Sequence, residues 1–144
     1  MAQEKHEMYL LVESEAGPVP GSSSHPEYKD QIIVNSWDWS IQQNSEVSDQ
    51  NEGGAKTTNT RIGELTVSPK TDKAMALLAG LCARGKKIDV TLTVVGRLTI
   101  TLNKAMLGDV RFHGPEDSTI VIESRKFKID VDGTPEEFDL DNPD

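Results

Sequence analysis

Two neighbouring segments in the second half of the chain alternate apolar and polar residues with a period of two. The alternation runs from Ile88 to Val94 and resumes from Leu98 to Leu102. Because residues two apart on a strand lie on the same face, this pattern predicts two strands that each bury one face. Gly96 lies between them and permits a tight reversal. The two segments are therefore predicted to form a β-hairpin, and any fold of this chain must bury one face of it.

Further segments have the β-branched and aromatic composition that is typical of strands. The predicted strands cover residues 8–12, 32–39, 106–112 and 119–131. Gly108 predicts a bulge or bend in the third of these. In the last one, the apolar residues change face near Ser124. This change predicts a bulge, a strand that moves to another sheet, or a strand of which one half packs on a neighbouring subunit.

One helix is predicted between Pro69 and Gly85. Its apolar residues at helical spacing are Ala74, Leu77, Leu78 and Leu81. Thr71 or Asp72 can cap its start, and Gly85 is placed to end it. A single helix among about seven strands predicts a mainly β fold, an antiparallel β-barrel of two packed sheets with one short α-helix.

The length and the charge distribution predict one domain with an acidic tail. The chain has 144 residues and a net charge of −9. Residues 130–144 contain seven acidic residues and no Lys or Arg, so they carry −7 and leave −2 for the other 129 residues. The predicted division is a barrel domain over residues 1–131 and a solvated, poorly ordered tail over residues 132–144. A nucleic-acid partner is not expected, because binding nucleic acid needs a basic surface.

The start of the chain predicts neither a secretory leader nor a membrane anchor. Residues 3–7 are polar or charged, and the apolar run that follows has five residues. A signal-peptide core is longer, and a membrane-spanning helix needs about 20 apolar residues. We therefore expect a protein that is made in the cytoplasm, does not insert into a membrane, and leaves the cell, if it does, without an N-terminal signal peptide.

The sequence predicts no catalytic, metal-binding or cofactor-binding residues. His6, His25 and His113 are far apart in the sequence and in polar surroundings, and each is expected to be a solvated imidazole. Cys82 is the single cysteine and is expected to pack as a small apolar residue of the helix. Neither a Gly-x-Ser-x-Gly motif nor a zinc-ligand spacing is present.

Two short motifs resemble binding loops without meeting their requirements. Residues 53–57 contain two glycines and a lysine but lack the first glycine of a phosphate-binding loop. Residues 130–133 begin like a calcium loop, but the glycine comes at the fourth position rather than the sixth. Two further segments, 13–30 and 42–60, are predicted loops that are either mobile or functional.

Segments along most of the chain resemble one known protein family. The segments concerned are Met8–Val12, Gly17–Gly21, Asn35–Trp39, Ile100–Asn103 and Val110–Gly114. Their order and spacing resemble the haemolysin-coregulated protein (Hcp) family, whose members form the inner tube of type VI secretion systems. The resemblance covers residues 8 to 131. His25 and Tyr28 depart from it, since they replace an acidic residue and a histidine of the family pattern.

The resemblance implies a mechanical role without catalysis. It implies six-membered rings that stack into a tube, a lumen that holds effector proteins, and sheath and spike proteins as further partners. It also implies that Trp39, Phe127 and Ile129 lie at the interface between subunits. Two alternatives remain: a monomeric β-barrel that binds a small ligand or peptide, and the tail-tube protein of a contractile phage-like injection device.

Overall fold

The computed structural model describes residues 7–44 and 59–142. These residues form strands that are joined mainly by antiparallel pairing, together with one helix. The elements are β1 (Met8–Ser14), β2 (Gly17–Pro18), β3 (Ile32–Asp38), β4 (Ile41–Asn44), β5 (Asn59–Ile62), β6 (Leu65–Pro69), α1 (Ala74–Ala83), β7 (Lys87–Val94), β8 (Leu98–Phe112), β9 (Ser118–Glu123), β10 (Lys126–Val131) and β11 (Thr134–Asp139).

Six strands close into an antiparallel barrel. Their order around the barrel is β1, β3, β6, β9, β8 and β7, and β7 pairs again with β1. Closure pairs both edges of every barrel strand, so the barrel itself has no open sheet edge. The predicted fold class, a mainly β protein with an antiparallel barrel and one short α-helix, is confirmed.

The interior of the barrel is filled by the inward-facing residues of the alternating strands. The predicted hairpin is formed by β7 and β8, in which Val94 pairs with Leu98 around Gly96 at φ +75°. The largest fully buried side chains are those of Leu10, Ile32, Leu65, Met75, Leu78, Leu92, Ile100, Leu102, Ile120, Ile122, Val12 and Val67. Burial of this apolar surface at about 25 cal/mol per Å² is the main force that holds the barrel together.

Strand β8 is long enough to pair with two later strands on one edge. Met106 pairs with Glu123 of β9, and Thr101 pairs with Lys128 of β10. The pairing of β8 with β9 shifts by one residue at Gly108, which confirms the predicted bulge. The predicted change of face near Ser124 corresponds to the gap between β9 and β10. Beyond this gap the chain leaves the barrel wall and extends the sheet as β10 and β11.

Helix α1 packs against β8 and lies within the predicted range. Its end at Gly85, φ +60°, is a Schellman motif, because the amides of Gly85 and Lys86 donate to the carbonyls of Cys82 and Leu81. Leu77 was assigned to the apolar stripe, but its side chain is 50% exposed, and Met75 is buried instead. In the described ranges, no helix has the length and apolar character needed to cross a membrane.

Replacing Asp72 with Ala is expected to destabilise the fold by about 1 kcal/mol, because Asp72 caps the helix. Its Oδ1 accepts a hydrogen bond from the Ala74 amide at 2.8 Å, and its Oδ2 accepts one from the Ser22 amide at 3.1 Å. The measurement is the midpoint of thermal unfolding, with the exposed neighbour Lys73→Ala as the control. Equal midpoints for the two variants would contradict the capping role.

The expectation of a poorly ordered acidic end is wrong for most of that segment. Thr134–Asp139 forms strand β11, which pairs with β10 along its whole length. The two strands are joined by Asp132 at φ +51° and Gly133 at φ +87°, the conformation of a type I′ turn. Asp-Gly between two extended segments is a strong hairpin signal, and the interpretation of residues 130–144 by their charge overlooked it. The domain boundary after residue 131 remains a prediction.

Candidate assembly surface

The hairpin of β10 and β11 is the part of the large sheet that lies outside the closed barrel. One of its faces carries the aromatic and aliphatic residues together with Glu136 and Thr134, and the other carries Lys, Asp, Glu137 and Pro135. Because strand side chains alternate between faces, the hairpin is amphipathic. In the described part of the sheet, the hairpin therefore has two faces and a free edge that do not belong to the barrel wall.

The apolar face of the hairpin contains a small aromatic cluster, formed by Trp39, Phe127 and Phe138. The ring centroids of Trp39 and Phe127 are 5.1 Å apart in an edge-to-face arrangement, and those of Phe127 and Phe138 are 6.1 Å apart. Such pairs are worth about 0.5–1.5 kcal/mol beyond the area they bury. All three side chains are half-buried, so the cluster fastens the hairpin to the barrel and still presents apolar surface to solvent.

The structure brings together the three residues that the sequence assigned to a subunit interface. Trp39, Phe127 and Ile129 are half-buried and pack against the core cluster. Ile129 pairs with Ile100, which is fully buried in the barrel. The contacts that the structure shows for these three residues are within one chain, so their role between subunits stays a prediction. Phe138 was missed, because it falls in the segment interpreted as a tail.

A shallow cleft of about 430 Å³ lies beside the hairpin, and polar side chains of both strands line it together with Phe127 and Phe138. Lys126 lies opposite Asp139 across the strands, and Lys128 lies opposite Glu137. Thr101 and Asn103 of β8 complete the wall of the cleft. The cleft carries both signs of charge beside the two phenylalanines, so it differs from a mostly apolar ligand pocket.

Strand β11 is an edge strand with several features that protect its free edge. In the described part of the chain it pairs with β10 alone. Pro135 removes one backbone donor, and the exposed Glu136 and Glu137 add charge to the edge. Proline and charged residues are common on edges that must not pair with arbitrary chains. These features disfavour unspecific aggregation through the free edge.

The end of the described chain is fastened beside the gap between β9 and β10. Arg125 donates to both carboxylate oxygens of Asp141, with the shortest bond at 2.7 Å, and the Leu140 amide donates to the Arg125 carbonyl. The hydrogen bond from Arg125 holds the pKa of the Asp141 carboxyl below its ordinary value of 3.8. The same carboxylate raises the pKa of Arg125.

Changing Asp141 to Asn is expected to lower the unfolding midpoint at pH 7 by no more than about 3 °C, because exposed ion pairs contribute little. A carboxyl whose pKa is lowered by folding stabilises the fold above its unfolded pKa. That contribution is lost as the pH falls through the lower, folded pKa. The difference between wild type and variant should therefore vanish in acid, as measured by thermal melts from pH 7 down to pH 2. A difference that grows in acid would contradict this sign.

The loop of residues 19–31 is ordered and packs on β1. Tyr28 stacks on Tyr9 with the ring centroids 4.8 Å apart, and His25 lies 5.6 Å from the Tyr9 ring. The His25 Nε2 is 3.5 Å from a Glu7 carboxylate oxygen. Burial, and then the Glu7 charge, raises the pKa of Tyr9. His25 was expected to be a solvated imidazole, but it is half-buried and belongs to this aromatic contact.

The remaining residues considered for chemistry lie apart from one another. His113 is exposed and shares a 3.0 Å hydrogen bond with the Thr119 hydroxyl. Cys82 is half-buried, and its Sγ donates to the Leu107 carbonyl at 3.4 Å. His6 and residues 53–57 lie outside the described residues. Within residues 7–44 and 59–142, no three His, Cys, Asp or Glu side chains are gathered as they would be around a metal ion.

Comparison with known proteins places this architecture in one family. Residues 9–131 match the family described as "Type VI secretion system effector, Hcp". No curated protein matches the sequence. The fold is similar to that of Hcp1 from the E. coli EAEC 042 pathovar, with a TM-score of 0.77, 12% identity, and coverage of 93% of this chain and 99% of that chain.

Two further solved structures share the fold. Hcp1 from Salmonella typhimurium has a TM-score of 0.71 and 19% identity, with coverage of 95% of this chain and 97% of that chain. Hcp3 from Pseudomonas aeruginosa has a TM-score of 0.71 and 14% identity, with coverage of 92% and 98%. The resemblance that the order of the segments indicated is thereby confirmed. Since the family match spans well over half of its length, this chain belongs to the Hcp family of type VI secretion system proteins.

Proposed function

We propose that this protein is a tube subunit that assembles into six-membered rings, and that the rings stack around a lumen in which effector proteins are carried. The family match over residues 9–131 is the observation that carries this proposal. Its role is mechanical, and it leaves the cell through the secretion machine together with its cargo. Sheath, spike and effector proteins are its proposed partners.

The hairpin of β10 and β11 supports the proposal physically. A closed barrel has no free sheet edge with which a partner could pair. The hairpin, in contrast, has a free edge strand and a half-exposed aromatic cluster that a partner could cover. A neighbouring subunit that covers Phe127, Ile129 and Trp39 would bury apolar surface that one chain leaves half-exposed. We therefore propose an interface that consists of these three residues and the free edge of β11.

A monomeric binding module is the weaker candidate. The barrel interior is occupied by side chains, and the cleft beside the hairpin is polar and open. Small-molecule sites are usually concave and mostly apolar, so neither place favours a ligand. A phage-like tail tube shares the proposed ring and differs in its partners.

The test of the proposal is the molar mass in solution by light scattering, with negative-stain images of the same fraction. Six copies of 15.8 kDa, about 95 kDa, seen as ring-shaped particles would support the tube-subunit function. A particle of 15.8 kDa at every concentration, which also fails to assemble with the rest of a secretion machine, would overturn it.

Reversing the charge of Glu136 is expected to weaken the ring without affecting the fold of the subunit. Glu136 is exposed on β11 and lies opposite Ile129 across the strands. Glu136→Lys should shift the mass distribution towards the monomer, while the exposed Glu116→Lys, in the turn between β8 and β9, serves as the control. Phe127→Asp is less selective, because it also breaks the aromatic cluster inside one chain. Rings of unchanged stability in Glu136→Lys would exclude the β11 edge from the interface.

A further inference from the structure

In the ring proposed above, the hairpin of β10 and β11 needs a complementary surface elsewhere on the chain. A closed ring is built from head-to-tail contacts, in which one surface of a subunit meets a different surface of its neighbour. The hairpin supplies one of these two surfaces. The search for the other surface rests on the proposed ring, and it can be made with the side chains of a single subunit.

The hairpin face that carries Phe127 combines apolar surface with a carboxylate. Phe127, Ile129 and Phe138 are half-buried, so part of each side chain is open to a partner. Glu136 lies on the same face, with the apolar Ile129 rather than a cation opposite it on β10. The surface that covers this face should therefore be apolar and should bring at least one cation.

Helix α1 is apolar on every side, although only one side packs on the barrel. Its ten residues are Ala, Met, Leu, Gly and Cys alone. A helix that is hydrophobic all round is normally covered all round. Ala74, Met75 and Leu78 are buried, but Leu77 is 50% exposed. The outward side of α1 therefore has the composition of a covered surface without a cover in the single chain.

This outward side has an apolar centre and a cation at each end. Lys73, Leu77, Gly80 and Arg84 follow one another at spacings of three and four residues, so they lie on one face of the helix. Lys73 and Arg84 are exposed. A Cβ at Gly80 would lie 2.6 Å from Nη1 of Arg84, which shows that the Arg84 side chain lies over Gly80. We call these four residues the helix stripe.

The segment around α1 is basic in a chain that is acidic overall. Residues 70–87 contain five Lys or Arg residues and one Asp, so they carry 5 − 1 = +4, whereas the whole chain carries −9. The carboxylate of that single Asp, Asp72, accepts hydrogen bonds from the amides of Ala74 and Ser22. Two helix stripes would repel each other, whereas a stripe and the Glu136 face attract. Charge therefore favours the hairpin of a second copy as the occupant.

The two surfaces also match in length. The helix stripe extends over 11 residue steps of a helix, or about 17 Å. The six residues of β11 extend over about 20 Å. A helix that covers one face of a sheet is a common way for both elements to bury their apolar sides.

On one chain the two surfaces are well separated, as a head-to-tail contact requires. Helix α1 is attached to β8 near Leu107, whose carbonyl accepts a hydrogen bond from the Cys82 Sγ. The hairpin is attached to β8 near Ile100, which pairs with Ile129. Seven residues of strand, roughly 20 Å, lie between these two points.

We propose that the helix stripe of one subunit packs across the hairpin face of the next subunit. Leu77 then covers the exposed part of the aromatic cluster, and a cation of the stripe lies beside Glu136. Because the stripe has a cation at each end, either direction of the helix brings one of them to the hairpin. The contact gives each subunit the two different surfaces that closure of a ring needs.

The apolar part of the contact is tested with Leu77→Gln in the full chain. Gln is about as good a helix former as Leu, so the helix itself should be retained. Loss of the apolar contact should raise the protein concentration at which half of the chains are in rings about three- to tenfold. Light scattering over a dilution series gives this midpoint, and circular dichroism checks the fold. Leu77→Met, which remains apolar, is the control and should leave the midpoint unchanged.

The charged part of the contact is tested by exchanging the two charges. Glu136→Lys should raise the same midpoint, and a second substitution, Lys73→Glu or Arg84→Glu, should bring it back towards the wild-type value. Glu136→Lys combined with Lys29→Glu is the matched control. It has the same net charge, but Lys29 is an exposed residue of the loop before β3, so this pair should not restore the rings.

Either of two results would overturn the proposal and leave the ring function standing. One is a wild-type midpoint in Leu77→Gln. The other is a Glu136→Lys defect that Lys73→Glu and Arg84→Glu relieve no better than Lys29→Glu does. A wild-type chain that forms no rings at all would overturn the proposed function, and the pairing of stripe and hairpin together with it.

Discussion

Replacing Gly21 with Ala is expected to lower the free energy of unfolding by about 3 kcal/mol or more. The residue is buried, and a Cβ there would lie 2.4 Å from the carbonyl oxygen of Gln31 and 2.7 Å from the Cα of Ile32. Both atoms belong to the backbone and cannot move aside as a flexible side chain would. Overpacking usually costs about 1–3 kcal/mol, and a backbone clash lies at the upper end or beyond.

The hydrogen bonds around Gly21 explain why the chain cannot relax at this point. The Gly21 amide donates to the Asp30 carbonyl at 2.7 Å, and the Asp30 amide donates to the Ser23 carbonyl at 2.8 Å. Together they draw the two ends of the loop against each other. A shift that relieves the clash must break at least one of these bonds.

A matched control is available in helix α1. A Cβ at Gly80 would approach only the end of the flexible Arg84 side chain. Gly80→Ala should therefore raise the stability by up to about 1 kcal/mol, the gain in helix propensity. Chemical denaturation of both variants gives the comparison. If Gly21→Ala unfolds at the same denaturant concentration as wild type, the loop is not held as closely as the structure shows.

Ending the chain after Val131 is expected to destabilise the fold by about 2–4 kcal/mol, because strand β11 is part of the sheet. The truncation removes the hydrogen bonds to β10 and the packing of Phe138, and it exposes more of Phe127. From the charge pattern alone, removal of residues 132–144 would be expected to leave a ring intact. The pairing of β11 with β10 shows that residues 134–139 are part of the fold, and the effect of their removal on a ring stays a prediction.

The truncation is measured as a fall in the unfolding midpoint of roughly 10 °C. Phe138→Ala separates the side-chain contribution from that of the strand, and should cost about 1–2 kcal/mol, since Phe138 is only half-buried. Protein concentration must be matched, because assembly itself raises the apparent stability. A truncated chain with the wild-type midpoint would show that β11 contributes nothing to the fold.

The barrel and its helix could be predicted because they depend on patterns within single segments. The alternation from Ile88 to Leu102 defines a strand pair by period alone, and Gly96 supplies the reversal. The helix follows from apolar spacing, with a capping carboxylate at Asp72 and a glycine stop at Gly85. In each case the residues of the buried face recur at a fixed spacing along the segment. That spacing is visible from residues that are close together in the sequence.

The prediction of a poorly ordered tail was wrong for residues 134–139 because it used the charge pattern and overlooked the turn signal. The acidic composition after Asp130 indicated a solvated end, whereas Asp132-Gly133 indicated a type I′ hairpin. The turn decided the structure, because β10 offered a partner edge and Phe138 could pack on Phe127. Pairing with an existing edge outweighs the repulsion of exposed carboxylates, which water and salt screen.

The sequence by itself determined five of the six barrel strands, the single helix, the turn at Gly96 and the family to which the chain belongs, whereas β6 was not among the predicted strands. Tertiary structure alone decided the closure of the barrel by β8 and β9 and the meeting of Trp39 with Phe127. The physical reason is the sequence distance over which each kind of interaction acts. Side-chain period and turn chemistry act over a few residues, whereas these contacts join residues far apart in the sequence, and their register becomes fixed only when the chain packs.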